Sequence, residues 1–385
     1  MKNELKKNIT DISNIILPID GFLLALRIVF TYSLADFGII LGTFAIFIWG
    51  TVFSIILLNT YTIKELLISL LLIACGVLIF KNANSLIPFY SLSFLIANKK
   101  VNLNRVLNGY FFGILFGLII VFLRCGVIIF PDGSYSFGQT NPNMLSHFVI
   151  MEIVIWIYFR YKRFTWLELF ILIIFSFLMG TITKCRTGIG ISVLIVCTAF
   201  LCDGNKYIRD FLRKRINFFC LTIVIISILG VVLFNVVPFF SLLNRVLSNR
   251  FWLAQIYLGL YGLKPFGVDI SDAIDQLGYT VVLDAGYIRM IINYGIIYFL
   301  LYIFIFLRTC KKLNKNNFSR CSFLILSVFL GLVVESLWIP INTNIIFIFC
   351  SIFIFPREGI QRNENKNTFM KYFFKLNPIN TKSVI

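Results

Sequence analysis

The chain has little charge of either sign. Asp, Glu, Lys and Arg together make up 14% of its 385 residues, whereas hydrophobic residues make up 59%. Almost every long window is therefore too apolar for a solvated surface, which excludes an ordinary soluble domain. The chain has 35 basic residues but only 17 acidic ones. In a soluble protein this imbalance would indicate nucleic acid, but in a membrane chain it is interpreted loop by loop, and we expect no nucleic-acid partner.

The chain also lacks the short motifs of several protein classes. It contains no GxxxxGK[ST], dinucleotide fingerprint, HExxH or CxxC sequence, which disfavours a nucleotide-driven pump, a zinc protease and a redox protein. The nine cysteines lie mostly in apolar runs and are interpreted as packing residues. Asp269, Asp272 and Asp275 do not follow a calcium-loop pattern and indicate a solvated face. We therefore expect neither a cofactor nor a metal.

Apolar runs of about 17 to 25 residues recur along nearly the whole chain, and in lipid such runs must be helices because their backbone groups find no water. The sequence predicts an all-α polytopic membrane protein of about 12 transmembrane helices, within a range of about 10 to 13, in a single domain over residues 1–385. The predicted helices cover residues 13–34, 37–58, 65–81, 85–98, 107–130, 143–159, 165–182, 187–202, 217–237, 283–307, 321–337 and 341–355.

Basic residues concentrate in every second loop, as the positive-inside rule requires of cytoplasmic loops. This alternation predicts that both ends lie in the cytoplasm, with residues 356–385 as a basic cytoplasmic tail, in a multi-pass protein of the cytoplasmic membrane. On the outer side, two connections are long, residues 131–142 and residues 238–282. Long ordered loops tend to carry function, so we expect the chemistry to face outside.

A few basic residues break the positive-inside rule. Lys184 and Arg186 lie where one helix ends on the outer side and the next begins. A helix N-terminus with an adjacent guanidinium is suited to phosphate oxygens, although snorkelling to the interface would explain the same residues. In the long loop, Arg250, Tyr257 and Tyr261 share one helical face, which fits a ligand with a phosphate head and sugar rings. An interfacial amphipathic helix is the alternative.

Asp284 lies at the outer start of the next predicted membrane helix. A carboxylate at the membrane rim beside arginines is suited to accept a proton from a hydroxyl nucleophile. The alternative is that Asp284 only caps the following helix.

The outer segments together resemble a known family. The segments that carry the resemblance are Phe137–Asn143, Thr183–Gly188, the Arg250 loop up to Lys264–Gly267, Leu283–Tyr287 and Tyr294–Gly295. The bacterial O-antigen polymerase and O-antigen ligase superfamily has similar signatures in the same order, and the chain most closely resembles its Wzy-type repeat-unit polymerases of capsular polysaccharide.

The resemblance implies a metal-independent glycosyltransferase of the GT-C kind that joins undecaprenyl-pyrophosphate-linked oligosaccharides in capsule, exopolysaccharide or O-antigen synthesis. Arg186 and Arg250 match the family arginines that grip the donor pyrophosphate, and Asp284 falls where ligases carry a histidine, which favours a polymerase. A flippase and a chain-length regulator are the implied protein partners. We expect further substrate contacts from Lys184, Arg245, Asn141, Asn143, Trp252, Tyr257, Tyr261 and Tyr287.

Three other functions compete with the polymerase. A lipid-linked oligosaccharide flippase or other transporter should show two related halves and a central polar path, neither of which is found. An O-antigen-type ligase of the same superfamily remains an alternative. A membrane acyltransferase needs a histidine with a partner carboxylate, and the single histidine, His147, is interpreted as a packed helix residue.

Overall fold

A computed structural model describes residues 2–99, 101–160, 163–273, 283–315 and 319–355. In these residues the chain is helical and forms no sheet strand beyond two isolated β-bridges, Ser33 with Gln139 and Ile129 with Tyr135. The predicted all-α class is confirmed. The predicted tail 356–385 lies outside the described residues, as does the part of the long loop over 274–282.

The described residues contain nine helices that are long and apolar enough to cross a membrane, and three shorter apolar helices. Together these match the twelve predicted segments in order, so a polytopic membrane protein is confirmed, while the number of crossings stays a prediction. The first eleven helices are α1 Lys2–Thr31, α2 Gly38–Leu58, α3 Ile63–Ala83, α4 Ile87–Ala97, α5 Leu103–Cys125, α6 Pro142–Arg160, α7 Trp166–Thr183, α8 Arg186–Gly204, α9 Lys206–Leu233, α10 Pro238–Val246 and α11 Arg250–Tyr261.

The last part of the chain is less regular than predicted. The predicted helix 283–307 begins as α12 Gly286–Arg289, passes through a π-helical turn at Met290–Tyr294 and continues as α13 Gly295–Lys315. Helix α14, Ser319–Val334, ends before Glu335 and is followed by a 3₁₀ turn. The predicted helix 341–355 is a 3₁₀ helix that ends in the short α15, Ser351–Ile354. π-Helical and 3₁₀ turns inside helices often mark functional sites.

Helix α9 begins at Lys206, well before the predicted start at residue 217. The side chain of Asn205 accepts hydrogen bonds from the backbone of Tyr207 and Ile208, which caps the helix at this point. The first turns of α9 carry basic residues, and the ring of Phe211 is exposed beside them. A prediction based on apolar runs missed these turns because their residues are polar.

Helices α1 and α5 pack at very short range through glycines. A Cβ atom on Gly109 would lie 2.1 Å from the carbonyl oxygen of Pro18, and one on Gly113 would lie 2.4 Å from that of Phe22. Small residues allow such close approach of membrane helices. This contact fixes α1 against α5.

The predicted outer loops meet at one end of the bundle. Thr140 donates from its backbone N–H to the carbonyl of Tyr32 at the end of α1 (2.7 Å), and Tyr135 donates to Ile182 at the end of α7 (2.9 Å). The amide of Asn84, which follows α3, contacts Asp269 of the long loop at 3.4 Å. We call this the loop end of the bundle.

The opposite end holds several of the basic residues that were predicted to be cytoplasmic. Lys99 forms an ion pair with Glu65, and its ammonium lies 4.8 Å from the ring centroid of Tyr61. Arg160 contacts Glu168 at 2.5 Å. These pairs tie neighbouring helices together at the end opposite the long loop.

Candidate functional site at the loop end

The long loop begins with two helices joined at a sharp break. Residues Ser248 and Asn249 have positive φ angles of 56° and 62°, so α10 and α11 are separate helices. The side chain of Asn244 accepts hydrogen bonds from the backbone of Phe251 (3.0 Å) and Trp252 (3.3 Å). Asn244 thereby caps α11 from the preceding helix and fixes where Arg250 begins it.

Helix α11 directs the predicted face inward. Arg250 and Tyr257 are buried, and the ring of Tyr261 stacks against Tyr257 with centroids 6.0 Å apart. Trp252 points the other way and is 44% exposed, and Arg245 on α10 is exposed as well. The shared face of Arg250, Tyr257 and Tyr261 is therefore confirmed, while Trp252 and Arg245 lie away from it.

The part of the long loop that follows α11 is anchored at the π-helical break. The backbone N–H groups of Ile296 and Ile297 donate to the carbonyls of Lys264 and Pro265, both at 3.1 Å. A Cβ atom on Gly267 would lie 2.1 Å from the carbonyl oxygen of Asn293. Two segments that carried the family resemblance, Lys264–Gly267 and Tyr294–Gly295, are thus in direct backbone contact.

Arg250 lies between two carboxylates. Its Nη2 atom is 2.7 Å from Oε1 of Glu335 and 3.7 Å from Oδ2 of Asp284. Only 8% of the Arg250 side chain is exposed, against 13% for Glu335 and 31% for Asp284. The helix after Asp284 has no side-chain cap. The alternative interpretation of Asp284 as a helix cap is therefore wrong, and a purely interfacial α11 is excluded by the burial of Arg250.

A second guanidinium lies next to this pair. Arg289 donates from Nη1 to Oγ of Ser336 at 3.0 Å, and its charge acts on Asp284. A Cβ atom on Gly286 would lie 2.9 Å from the carbonyl oxygen of Glu335, so α12 and the end of α14 are pressed together here. We call Arg250, Asp284, Arg289 and Glu335 the charged cluster.

Burial sets the proton affinity of the two carboxylates. It raises the pKa of Glu335 to about 7, against the opposing effect of Arg250. Burial also raises the pKa of Asp284, although both Arg250 and Arg289 act to lower it. A carboxylate whose pKa is raised towards neutrality is suited to proton transfer.

In the described residues, Arg186 and Lys184 form no ion pair or hydrogen bond with the charged cluster. Both side chains are exposed, and Lys184 donates to the backbone carbonyl of Asp132. No ion pair or side-chain hydrogen bond of Arg186 is present in the described part of the chain. Gly188, two residues on, is packed against Ser146 of α6, because a Cβ there would lie 2.2 Å from its hydroxyl oxygen. This glycine therefore allows close packing of α8 against α6.

Three other predicted contacts have local roles. Asn141 is exposed, and its side chain accepts a hydrogen bond from the backbone of Asn143 at the start of α6 (2.8 Å). Tyr287 is buried, and its hydroxyl donates to the carbonyl of Phe329 at 2.7 Å. The hydroxyl of Tyr287 is thus engaged in the core, away from the charged cluster.

Two members of the charged cluster were missed as site residues. Glu335 and Arg289 stood out in the sequence only as ionisable residues within apolar runs. Such residues mark functional sites in membrane helices, and that signal was available. Their partners are 85 and 47 residues away along the chain, a separation that helical periodicity does not bridge.

The acidic residues of the long loop have separate partners. Asp272 accepts a hydrogen bond from the hydroxyl of Tyr261 at 2.7 Å, and Asp269 accepts one from the backbone of Ser271 at 3.0 Å. Within the described ranges, no group of three or more His, Cys, Asp or Glu side chains is arranged to hold a metal ion. The predicted Asp275 lies outside the described residues.

The fold and the charged cluster define a polytopic membrane protein with a buried ionic site at one end. Comparisons of the chain with family models, with curated proteins and with solved structures found no match.

Proposed function

We propose that this chain is a repeat-unit polysaccharide polymerase, which joins oligosaccharides carried on undecaprenyl pyrophosphate at the outer face of the cytoplasmic membrane. The observation that carries the proposal is Arg250, a buried guanidinium held between Asp284 and Glu335 at the loop end, with Arg289 beside them. An ionic site of this kind at the end of a helix bundle is suited to a lipid with a charged head group. The order of the resembling segments along the chain supports the same reaction.

The proposed reaction uses the charges as follows. The acceptor hydroxyl attacks the anomeric carbon of the donor sugar, and the bond from that carbon to the pyrophosphate oxygen breaks. Undecaprenyl pyrophosphate leaves with the bonding electrons, stabilised by Arg250 and Arg186, because guanidinium groups neutralise phosphate oxygens without a metal. Asp284 takes the proton of the acceptor hydroxyl. The greater exposure of Asp284 relative to Glu335 supports its assignment as the base.

The aromatic face of α11 is assigned to the sugars. Tyr257 and Tyr261 are stacked in line with Arg250 on one helix, so a glycan whose pyrophosphate reaches Arg250 would extend along their rings. Trp252 is exposed on another face of α11, and its proposed sugar contact would come from the second glycan.

The test is polymerisation by purified protein. The chain is reconstituted in vesicles with lipid-linked repeat units extracted from cells that lack it, and the products are separated on a gel. A ladder of lengths is expected. Units that stay monomeric but cross the bilayer would make the chain a flippase, and transfer of one glycan to a different lipid would make it a ligase.

Substitutions in the candidate site test whether its residues carry out the polymerisation. Arg250→Ala and Asp284→Asn are expected to abolish the ladder, and Arg186→Ala to weaken or abolish it. Arg124→Ala is the matched control, because Arg124 is an exposed arginine at the same end that lies over the ring of Phe37. Full-length polymer from Arg250→Ala protein, shown by blot to be in the membrane, would overturn the assignment.

A further inference from the structure

The charges of the charged cluster balance when both of its carboxylates are ionised. It holds two guanidiniums, of Arg250 and Arg289, and two carboxylates, of Asp284 and Glu335. The stronger contact of Arg250 is with Glu335, at 2.7 Å. Both carboxylates contact the same Nη2 atom of Arg250, so a phosphate group that binds this nitrogen takes the place of a carboxylate that is already there.

Of the two carboxylates, Glu335 is stabilised less by water when it loses its contact with Arg250. Its side chain is 13% exposed, against 31% for Asp284, so water compensates it less. Arg289, the other cation of the charged cluster, donates to the hydroxyl of Ser336. A buried carboxylate without a cation partner binds a proton instead of staying charged.

The charged groups around Glu335 support its protonation when Arg250 is displaced. Arg250 faces it from α11, and Asp284 faces it from the segment before α12 and adds repulsion. Arg289 of α12 lies on the neighbouring Ser336. In the part of the chain that the structure describes, α6, α8, α9 and α13 add no charged side chain in hydrogen-bond or ion-pair contact with Glu335.

We propose that Glu335 is a positioning residue that holds Arg250 while the site is empty, and that it takes up one proton from water when the diphosphate of a donor lipid displaces it. This inference rests on the proposed function, since it requires that the site binds a diphosphate. Glu335 keeps Arg250 in place without permanently blocking it. Donor binding is thereby coupled to proton uptake.

The direct test uses the unmodified chain in detergent. Farnesyl diphosphate is titrated at pH 8 by calorimetry in two buffers of different ionisation enthalpy, with farnesol as the ligand that lacks the diphosphate. The second pKa of a phosphate is about 6, so the ligand itself carries few protons at pH 8. Uptake of about one proton per bound diphosphate is expected. Binding without proton uptake would overturn the inference alone, whereas no binding at any pH would overturn the proposed function with it.

Variants identify the group that takes up the proton. Glu335→Gln is expected to bind farnesyl diphosphate without proton uptake, about tenfold more tightly than the wild type at pH 8 and about equally at pH 6. The ratio of the two affinities at each pH removes the titration of the ligand. Asp36→Asn is the matched control, because Asp36 is an exposed carboxylate just after α1, and its proton uptake should stay at the wild-type value. A Glu335→Gln to wild-type affinity ratio that does not change with pH would contradict the inference.

Discussion

Gly267 and Gly295 meet backbone to backbone, 28 residues apart in the sequence. A Cβ atom on Gly295 would lie 2.4 Å from the backbone nitrogen of Gly267, and both glycines have positive φ angles, of 91° and 79°. Residues other than glycine rarely adopt this conformation. The contact joins the segment after α11 to the π-helical break, and so connects the helix that begins at Arg250 to the helix that follows Asp284.

Gly267→Ala should disrupt this junction. The added Cβ would collide with the Asn293 carbonyl oxygen at 2.1 Å, and we expect a loss of at least about 2 kcal/mol in stability together with the loss of polymer. Thermal unfolding in detergent measures the first effect and the gel assay the second. Gly259→Ala in the same loop is the control, because nothing lies within 4 Å of its Cβ position. Equal behaviour of the two variants would contradict the proposed junction.

Arg250→Met should destabilise the protein as well as inactivate it. The substitution leaves Asp284 and Glu335 buried together without their cation, and removal of one partner of a buried ion pair costs about 3–5 kcal/mol. Adding Glu335→Leu should restore part of the lost stability but none of the activity. Unfolding temperatures of the single and double variants, compared with Arg124→Met, provide the measurement. A double variant less stable than Arg250→Met would show that Glu335 has a separate structural role.

Stability should fall as pH rises between about 4.5 and 7. The pKa of Glu335 is raised by burial from 4.5 to about 7, so in this range the folded chain holds a proton that the unfolded chain has lost. Folding is then favoured at the acidic side of the range, by about 1–3 kcal/mol. Unfolding temperatures at pH 5 and pH 7.5 should differ in the wild type and differ less in Glu335→Gln. An equal pH dependence in both proteins would contradict the assignment to Glu335.

Gly113→Leu should separate α1 from α5. Its Cβ position lies 2.4 Å from the carbonyl oxygen of Phe22 and 2.7 Å from the Cβ of Ala25, so the larger side chain cannot fit without moving a helix. We expect a cost of about 3 kcal/mol or more, measured by thermal unfolding in detergent. Gly50→Leu in α2 is the control, since nothing lies within 4 Å of its Cβ position. If both variants unfold at the wild-type temperature, the close packing is incorrect.

Sequence patterns predicted the features that are set by residues close together on one helix. Apolar runs predicted the membrane helices, and a spacing of seven and eleven residues placed Arg250, Tyr257 and Tyr261 on one face. The break at Ser248 depends on a cap from Asn244, which no periodicity signals. Glu335 could be singled out as an ionisable residue in an apolar run, but its partner comes from a distant helix through tertiary packing.

For Arg186, the sequence predicted the position in the chain but not which side chains it contacts. Its position at the start of α8 was predicted correctly, and α8 does begin at Arg186. That Arg186 and Arg250 act together stays a prediction, whereas the described side chains that form ion pairs with Arg250 are Glu335 and Asp284, which helical spacing did not indicate. The type of a residue and the side of the membrane on which it lies do not determine which side chains it contacts.

Helix α9 has a consequence for any reconstitution of the protein. Its 28 residues extend for about 42 Å at 1.5 Å per residue, which exceeds the roughly 30 Å hydrocarbon layer of a bilayer. The first turns, with Lys206 and Arg209 near the exposed ring of Phe211, therefore extend into the phospholipid head groups. Basic residues there are attracted to anionic lipids, so the fraction of phosphatidylglycerol or cardiolipin in the vesicles becomes a variable of the assay. Helix α9 also packs against α11, α12 and α14, so the helix that carries this basic end is in direct contact with the helices around the charged cluster.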